Sequence, residues 1–200
     1  MEPATATGHG VFLLVHGCGT LLRGRSGAGK SELALELVAR GHQLVADDAV
    51  DWRRGADGRV TGSCPQPLAG FIEIRGLGVL NVGALYGSSA LAPSAALELV
   101  IELGAGPGGG GEERLHGRRG VFEVLGAQIA AISLPARLGH NSAVLVEAAC
   151  RDHLLRKSGY RADQDLVARQ RRLLEPRPSD ALPDAPTDGA APAPDAGRRD

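Results

Sequence analysis

The sequence predicts an α/β domain built on a phosphate-binding P-loop, with a mixed, partly antiparallel sheet and flanking helices, and three observations carry that reading. Residues Gly24 to Ser31 read G-R-S-G-A-G-K-S, a full match to the P-loop pattern. That loop lies between an apolar, strand-like run, Val11 to Leu22, and a segment with apolar residues at helical spacing, Glu32 to Arg40. Beyond it, hairpin and helix signals follow one another without strict β-α-β repetition, which argues for antiparallel pairs within the sheet.

Taken in order, Gly41 is placed to end the first helix, and Gln43 to Ala46 reads as a short strand that delivers Asp47 and Asp48 at its end. Val50 to Arg53, the turn G-A-D-G at Gly55 to Gly58, and Arg59 to Cys64 read as a hairpin closed by Pro65 and Pro67. Phe71 to Asn81 (F-I-E-I-R-G-L-G-V-L-N) alternates like a strand broken by Gly76 and Gly78, and Leu97 to Leu103 alternates like a half-buried strand. Gly104 to Gly111 is a glycine-dense connection, read as mobile. Two further strands follow at Val121 to Leu125 and Gln128 to Leu134, then a helix from Asn141, its N-cap, to about Lys157, with Gly159 as terminator. A last helix around Ala162 to Leu174 carries the R-Q-R-R pattern of a solvated face. The expected organisation is one catalytic domain over residues 1–175 and a disordered Pro, Ala, Asp-rich tail over 176–200.

Composition narrows the function classes. With 200 residues and 43% hydrophobic content, the chain can bury one sizeable α/β core. A formal net charge of -1 and only 3% aromatic residues argue against a nucleic-acid partner. No apolar run approaches the roughly 20 residues of a membrane span, and the first residues lack a basic stretch followed by an apolar leader, so the expectation is a cytoplasmic chain without a membrane partner. Cys18, Cys64 and Cys150 are odd in number and far apart in sequence, which suggests reduced structural thiols, with neither a disulfide framework nor a zinc spacing.

The P-loop chemistry needs these residue types in this order. Gly24, Gly27 and Gly29, with Arg25, Ser26 and Ala28 between them, let main-chain N–H groups converge on one anion. Lys30 supplies a point charge for the β- and γ-phosphates, Ser31 offers its hydroxyl to Mg²⁺, and the following helix adds its positive N-terminal dipole. The alternative, a fortuitous glycine-rich turn, is disfavoured by the strand before it and the helix after it. Asp47 and Asp48, at a strand's C-terminal end, face the ligand edge; Asp48 is the candidate base and Asp47 supports a metal or orients Asp48, the bland alternative being a turn cap.

Further segments point to one family. His9-Gly10-Val11, G-A-G-K-S at Gly27 to Ser31, R-G-H-Q-L-V-A-D-D at Arg40 to Asp48, E-I-R-G-L-G-V-L-N-V at Glu73 to Val82, and R-x-G-x-N at Arg137 to Asn141 followed by A-V-L-V-E-A-A resemble the catalytic domain of the bacterial HPr kinase/phosphorylase family. The match spans roughly His9 to Tyr160. The resemblance implies a P-loop kinase domain that uses ATP and Mg²⁺ to phosphorylate a serine of the phosphocarrier protein HPr, regulating a sugar phosphotransferase system. It also implies removal of that phosphate by phosphorolysis and assembly as a homohexamer. Many family members carry an extra N-terminal domain, so this chain resembles the short form.

By resemblance, Asp48 takes the serine proton in the kinase direction and returns one in reverse, Glu73 is a magnesium-associated carboxylate, and His9 is the active-site histidine near the transferred phosphate. From its residues alone Glu73 could equally be an exposed strand glutamate. Arg114, in E-R-L-H-G, is the candidate catalytic arginine, the alternative being a solvated arginine, and Arg137 lies in the segment the family uses for dephosphorylation. The usual P-V-R-P-G-R reads P-A-R-L-G-H at Pro135 to His140, so Leu138 replaces proline and His140 replaces a permanently charged arginine. That exchange predicts a weakened phosphorylase direction. Arg25 stands where the family commonly has aspartate. Two rival functions are a small-metabolite P-loop kinase, against which E-I-R-G-L-G argues, and a nucleotide-binding regulator with little transfer activity.

Overall fold

The structure, a computed structural model, describes residues 4–105, 116–135 and 142–174. In chain order its elements are β1 (Thr5–His9), β2 (Val11–Val15), β3 (Cys18–Gly24), α1 (Lys30–Ala39), β4 (Gln43–Ala46), β5 (Ala49–Arg54), β6 (Val60–Ser63), β7 (Phe71–Ile74), β8 (Gly78–Asn81), α2 (Val82–Tyr86), β9 (Ser94–Ala96), β10 (Leu99–Ala105), β11 (Arg119–Val124), β12 (Ala127–Pro135), α3 (Ser142–Lys157) and α4 (Ala162–Leu174). The larger sheet has the order β11-β12-β10-β3-β2-β4. Within it β3, β10 and β12 run parallel, while β2 pairs antiparallel with β3 and β4, and β11 with β12. The sheet is therefore mixed, as expected. A smaller antiparallel sheet has the order β1-β5-β6-β9, and β7 pairs with β8 alone.

Three segments differ from their expected form. The apolar run Val11 to Leu22 is two antiparallel strands, because His16 (φ 50°) and Gly17 (φ 78°) form the two-residue left-handed turn that suits the strand twist. Phe71 to Asn81 is a hairpin, with Arg75, Gly76 and Leu77 at its tip and Ile74 opposite Gly78. Leu97 to Leu103 supplies a central strand in place of a half-buried one: β10 lies between β3 and β12, and Leu99, Val100 and Ile101 are fully buried. The connection 106–115, the segment 136–141 and the tail from 175 lie outside the described residues, and with them the expected mobile loop, the Asn141 cap and the expected disordered tail.

Two cores flank the larger sheet. Alternation along β2 sends Val11, Leu13 and Val15 to the face covered by α1 and α3, where Leu33, Leu37, Val146 and Cys150 meet them, while Phe12 turns to the smaller sheet and joins Val50, Trp52 and Val60. Phe12 and Trp52 pack edge to face at 5.1 Å. α1 buries Leu33, Ala34, Leu37 and Val38, one stripe at helical spacing, and ends as Gly41 (φ 93°) donates its N–H to the Val38 carbonyl at 2.9 Å. α3 buries Ala143, Val146 and Cys150 and ends at Gly159, whose N–H donates to the Arg156 carbonyl at 3.1 Å. Residues 164–174 belong to a separate unit, in which Arg169 pairs with Asp165 one helical turn away.

The topology decides where a site forms. Because β2 is antiparallel to both neighbours, β3 and β4 are parallel, and α1 is the crossover between them. The loop after β3 and the residues after β4 therefore emerge at one sheet edge, where ligands bind in open α/β sheets. β2 begins at that same edge, so His9 and Gly10 lie there too. The chain passes between the two sheets at Gly10 and again at Asp47–Asp48, and these crossings are joined by the Gly10 N–H donating to the Asp48 carbonyl at 3.1 Å.

Candidate active site

The loop after β3 is shaped by close approach. Gly24 has φ +152°, and a Cβ there would lie 2.6 Å from the Leu103 carbonyl oxygen of β10, so only glycine lets the two parallel strands end side by side. The Ala28 N–H donates to the Arg25 carbonyl at 3.1 Å, closing the turn, and residues Arg25 to Ala28 are exposed. α1 starts from Gly29 (φ 81°) without a side-chain cap, which leaves its first-turn amides uncovered by any capping side chain. Lys30 Nζ donates to the carbonyls of Gly24 and Arg25 at 3.2 and 3.3 Å, so the ammonium is held over the loop by its own main chain.

The two aspartates after β4 have opposite environments. Asp47 is buried; Ser31 donates its hydroxyl to Asp47 Oδ1 at 3.0 Å, and the Glu73 main-chain N–H donates to Oδ2 at 3.0 Å. Burial pushes the Asp47 carboxyl above its usual range, opposed by those same hydrogen bonds. One carboxylate thus ties the start of α1 to β7. Asp48 has φ 66°, and the Ala49 N–H donates to the Asp47 carbonyl at 2.9 Å, so Asp48 is the centre of a three-residue turn in a left-handed conformation. Non-glycine residues held this way gather at functional sites. Its side chain is 85% exposed, and its Oδ1 lies 3.9 Å from His9 Nδ1, an ion-pair separation longer than a hydrogen bond.

Two neighbouring cavities open on this edge. One, of about 720 Å³, is lined by His9, Gly10, Gly24, Arg25, Lys30 and Asp48; the other, of about 430 Å³, by Gly27, Lys30, Ser31, Asp47, Asp48 and Glu73. Lys30 and Asp48 border both. The structure therefore brings together His9, the loop from Gly24 to Ser31, Asp47, Asp48 and Glu73. Arg114 and Arg137 lie outside the described residues, as do Leu138 and His140.

Sequence reasoning passed over three residues at this edge. Arg75, at the β7–β8 tip, reaches the P-loop: its Nη2 lies 3.7 Å from where a Cβ on Gly27 would stand. Arg23 Nη1 donates to Glu102 Oε1 at 2.9 Å, with Arg23 stacked 4.5 Å over the Phe122 ring, and both charged residues line the larger cavity. The signals were present, since Arg75 is the one cation of E-I-R-G-L-G and Arg23 immediately precedes the loop. Pairing Arg23 with Glu102 required knowing that β3 and β10 are neighbours in register.

A P-loop between a parallel strand and its crossover helix, with an aspartate pair at the end of the next parallel strand, defines the class: a P-loop α/β domain with a kinase-type fold. The chain belongs to the HPr Serine kinase C-terminal domain family, whose model matches residues 3–170. It is 45% identical over 176 residues to the HPr kinase/phosphorylase of Xylella fastidiosa (strain M12), covering 86% of this chain and 56% of the relative. It is 46% identical over 171 residues to that of Aromatoleum aromaticum, covering 85% and 55%. The chain thus spans about half the length of these curated relatives. Its structure is similar to the Hpr(Ser) kinase/phosphatase from Coxiella burnetii, with a TM-score of 0.73, 33% sequence identity, and coverage of 80% of this chain and 98% of that one.

Proposed function

We propose that this chain is a protein-serine kinase that transfers the γ-phosphoryl group of ATP to a serine of the phosphocarrier protein HPr. The observation that carries the reading is the meeting, at one sheet edge, of an uncapped glycine loop, a buried Asp47 bonded to the P-loop Ser31, and an exposed Asp48 beside His9. The loop amides and Lys30 bind and orient the phosphates. Asp48, open to a protein acceptor, accepts the serine proton as the hydroxyl attacks, and His9 stands on the same side to contact the transferred group. Exposure matters here, because a protein substrate must reach the base directly.

The donor set suits Mg²⁺. The Ser31 hydroxyl and the carboxylates of Asp47 and Glu73 are hard oxygen ligands on one cavity wall. Ser31 and Glu73 would hold the ion, with Asp47 fixing the Ser31 hydroxyl from behind. Bound there, Mg²⁺ would offset charge on the β- and γ-phosphates. Arg114 is assigned by resemblance to the charge developing on the transferred group, and Arg137 to the reverse reaction. Assembly as a homohexamer and a cytoplasmic location belong to the same reading; among the described residues no helix is long and apolar enough to cross a membrane.

The test is incubation of the purified chain with HPr, ATP and Mg²⁺, followed by the mass of HPr. One added phosphate on a serine supports the kinase. Nucleotide and HPr binding without transfer selects the nucleotide-dependent regulator, and phosphorylation of a small acceptor but not HPr selects a metabolite kinase. His140 in place of arginine adds a second expectation: pyrophosphate release from phospho-HPr and inorganic phosphate is slower than the forward reaction, and equal rates would show that His140 serves as well as a guanidinium.

A further inference from the structure

At the sheet edge opposite the P-loop, three residues remote in sequence converge. Cys18 opens β3, Glu98 immediately precedes β10, and His153 faces them from α3. One donor atom from each, a sulfur, a carboxylate oxygen and an imidazole nitrogen, lies within 4.8 Å of the other two, with His153 Nε2 at 4.0 Å from Glu98 Oε2. Cys18 is fully buried, and the His153 side chain is 12% exposed. We propose that Cys18, Glu98 and His153 form a binding site for a thiophilic divalent cation of the zinc class.

Thiolate, imidazole and carboxylate are zinc's common protein ligands, and a tetrahedral ion with bonds of about 2.0 to 2.3 Å sets its donors about 3.3 to 3.8 Å apart. The observed spread exceeds those distances by only about 1 Å, within the range of side-chain adjustment. Charge also balances: a Cys18 thiolate and the Glu98 carboxylate neutralise the ion, and the thiol proton leaves to solvent. Lys157 Nζ, which donates to Glu98 Oε2 at 2.5 Å, occupies the cationic role at present; its side chain is half exposed and can withdraw into water. Behind the donors, the Thr20 hydroxyl lies 3.1 Å from Cys150 Sγ and donates to the Cys18 carbonyl at 3.1 Å, an outer layer that links Cys150 to the backbone of the ligand cysteine.

A neighbouring cluster, His16, His42 and Glu147, is the poorer site. Arg40 donates to both Glu147 oxygens, at 2.8 and 2.6 Å, so an incoming cation would meet a guanidinium already holding the carboxylate. Spacing in sequence suggested no zinc site because the donors of the first cluster come from positions 18, 98 and 153, which only the fold assembles.

The test is titration of the chelator-stripped full chain with Zn²⁺ against a chromophoric competitor, with Co²⁺ as a spectroscopic substitute. The expected result is one tightly bound ion per chain and a thiolate-to-cobalt charge-transfer band. Cys18→Ser and His153→Ala abolish stoichiometric binding and the band, while Cys64→Ser and His16→Ala leave both intact. Cys150→Ser weakens binding about 10- to 100-fold, as outer-layer changes do. If Cys18→Ser fails to fold by circular dichroism, Glu98→Gln, at a partly exposed carboxylate, gives the answer through at least tenfold weaker binding. Absence of stoichiometric binding in the parent chain, survival of binding in both Cys18→Ser and His153→Ala, or its loss in His16→Ala overturns the assignment.

Discussion

Asp48→Asn separates chemistry from structure at the proposed base. Asparagine matches aspartate in shape and is among the few residues that tolerate positive φ, so the turn at φ 66° survives. The side chain is 85% exposed, so nothing apolar is unburied, and its 3.9 Å contact with an equally exposed His9 is worth less than about 1 kcal/mol. Stability should therefore change by no more than about 0.5 kcal/mol. Loss of a general base slows transfer by about 10² to 10⁴, or roughly 2.7 to 5.5 kcal/mol at 1.36 kcal/mol per decade. The rate effect exceeds the structural one several-fold, which makes it readable. The assay measures initial rates of phosphoserine formation on HPr, calorimetric nucleotide affinity, and unfolding followed by the fluorescence of Trp52. Turnover within threefold of the parent would refute the reasoning, as would a parallel collapse of nucleotide affinity. Asp48→Ala is less informative, because alanine adds left-handed strain of about 1 kcal/mol.

Other expectations follow from the packing and the charges. Gly24→Ala drives a Cβ to 2.6 Å from the Leu103 carbonyl at φ +152°; stability should fall by about 1 to 3 kcal/mol with loss of nucleotide binding, both measurable by thermal unfolding with and without ATP. Gly62→Ala places a Cβ 2.4 Å from Trp52 and 2.8 Å from Phe12, and should lower Tm by about 2 to 4 °C for each of the roughly 1 to 3 kcal/mol that overpacking costs. The hydrogen bonds from Arg40 hold the Glu147 carboxyl at about 2, against 4.5 when free. The unfolded chain takes up that proton first, so this contribution is complete above about pH 4.5 and is lost as pH falls toward 2; Glu147→Gln should flatten the decline of Tm across that window.

What the sequence disclosed and what it hid divide along a physical line. The P-loop, α1, the Q-L-V-A strand and the aspartate pair were legible because loop chemistry, helical period and strand length are local signals. The turn at His16–Gly17 was hidden by its first residue, since histidine is a weak turn marker and most residues on either side are apolar. The β7–β8 hairpin read as one broken strand because its alternation continues on both sides of the glycines. β10 read as half buried because Glu98 and Glu102 alternate with apolar residues, yet Glu98 lies just before the strand, where Lys157 meets it, and Glu102, at its middle, is paired with Arg23 of the neighbouring strand. Asp47's bonds to Ser31 and to the Glu73 main chain, like the Arg23–Glu102 pair, depend on which strands become neighbours. No local pattern carries that.

The edge bearing His9 and Asp48 is a joint between two plates. Each residue sits where the backbone leaves one layer for the other, and the layers are set against one another by Phe12 and Trp52, three and four positions further along. Their 3.9 Å gap is therefore fixed by how the plates seat, and a displacement of about 1 Å at a reacting group can change rate about 10²-fold. Aromatic substitutions deep between the plates should thus register in turnover at temperatures where the chain is still fully folded.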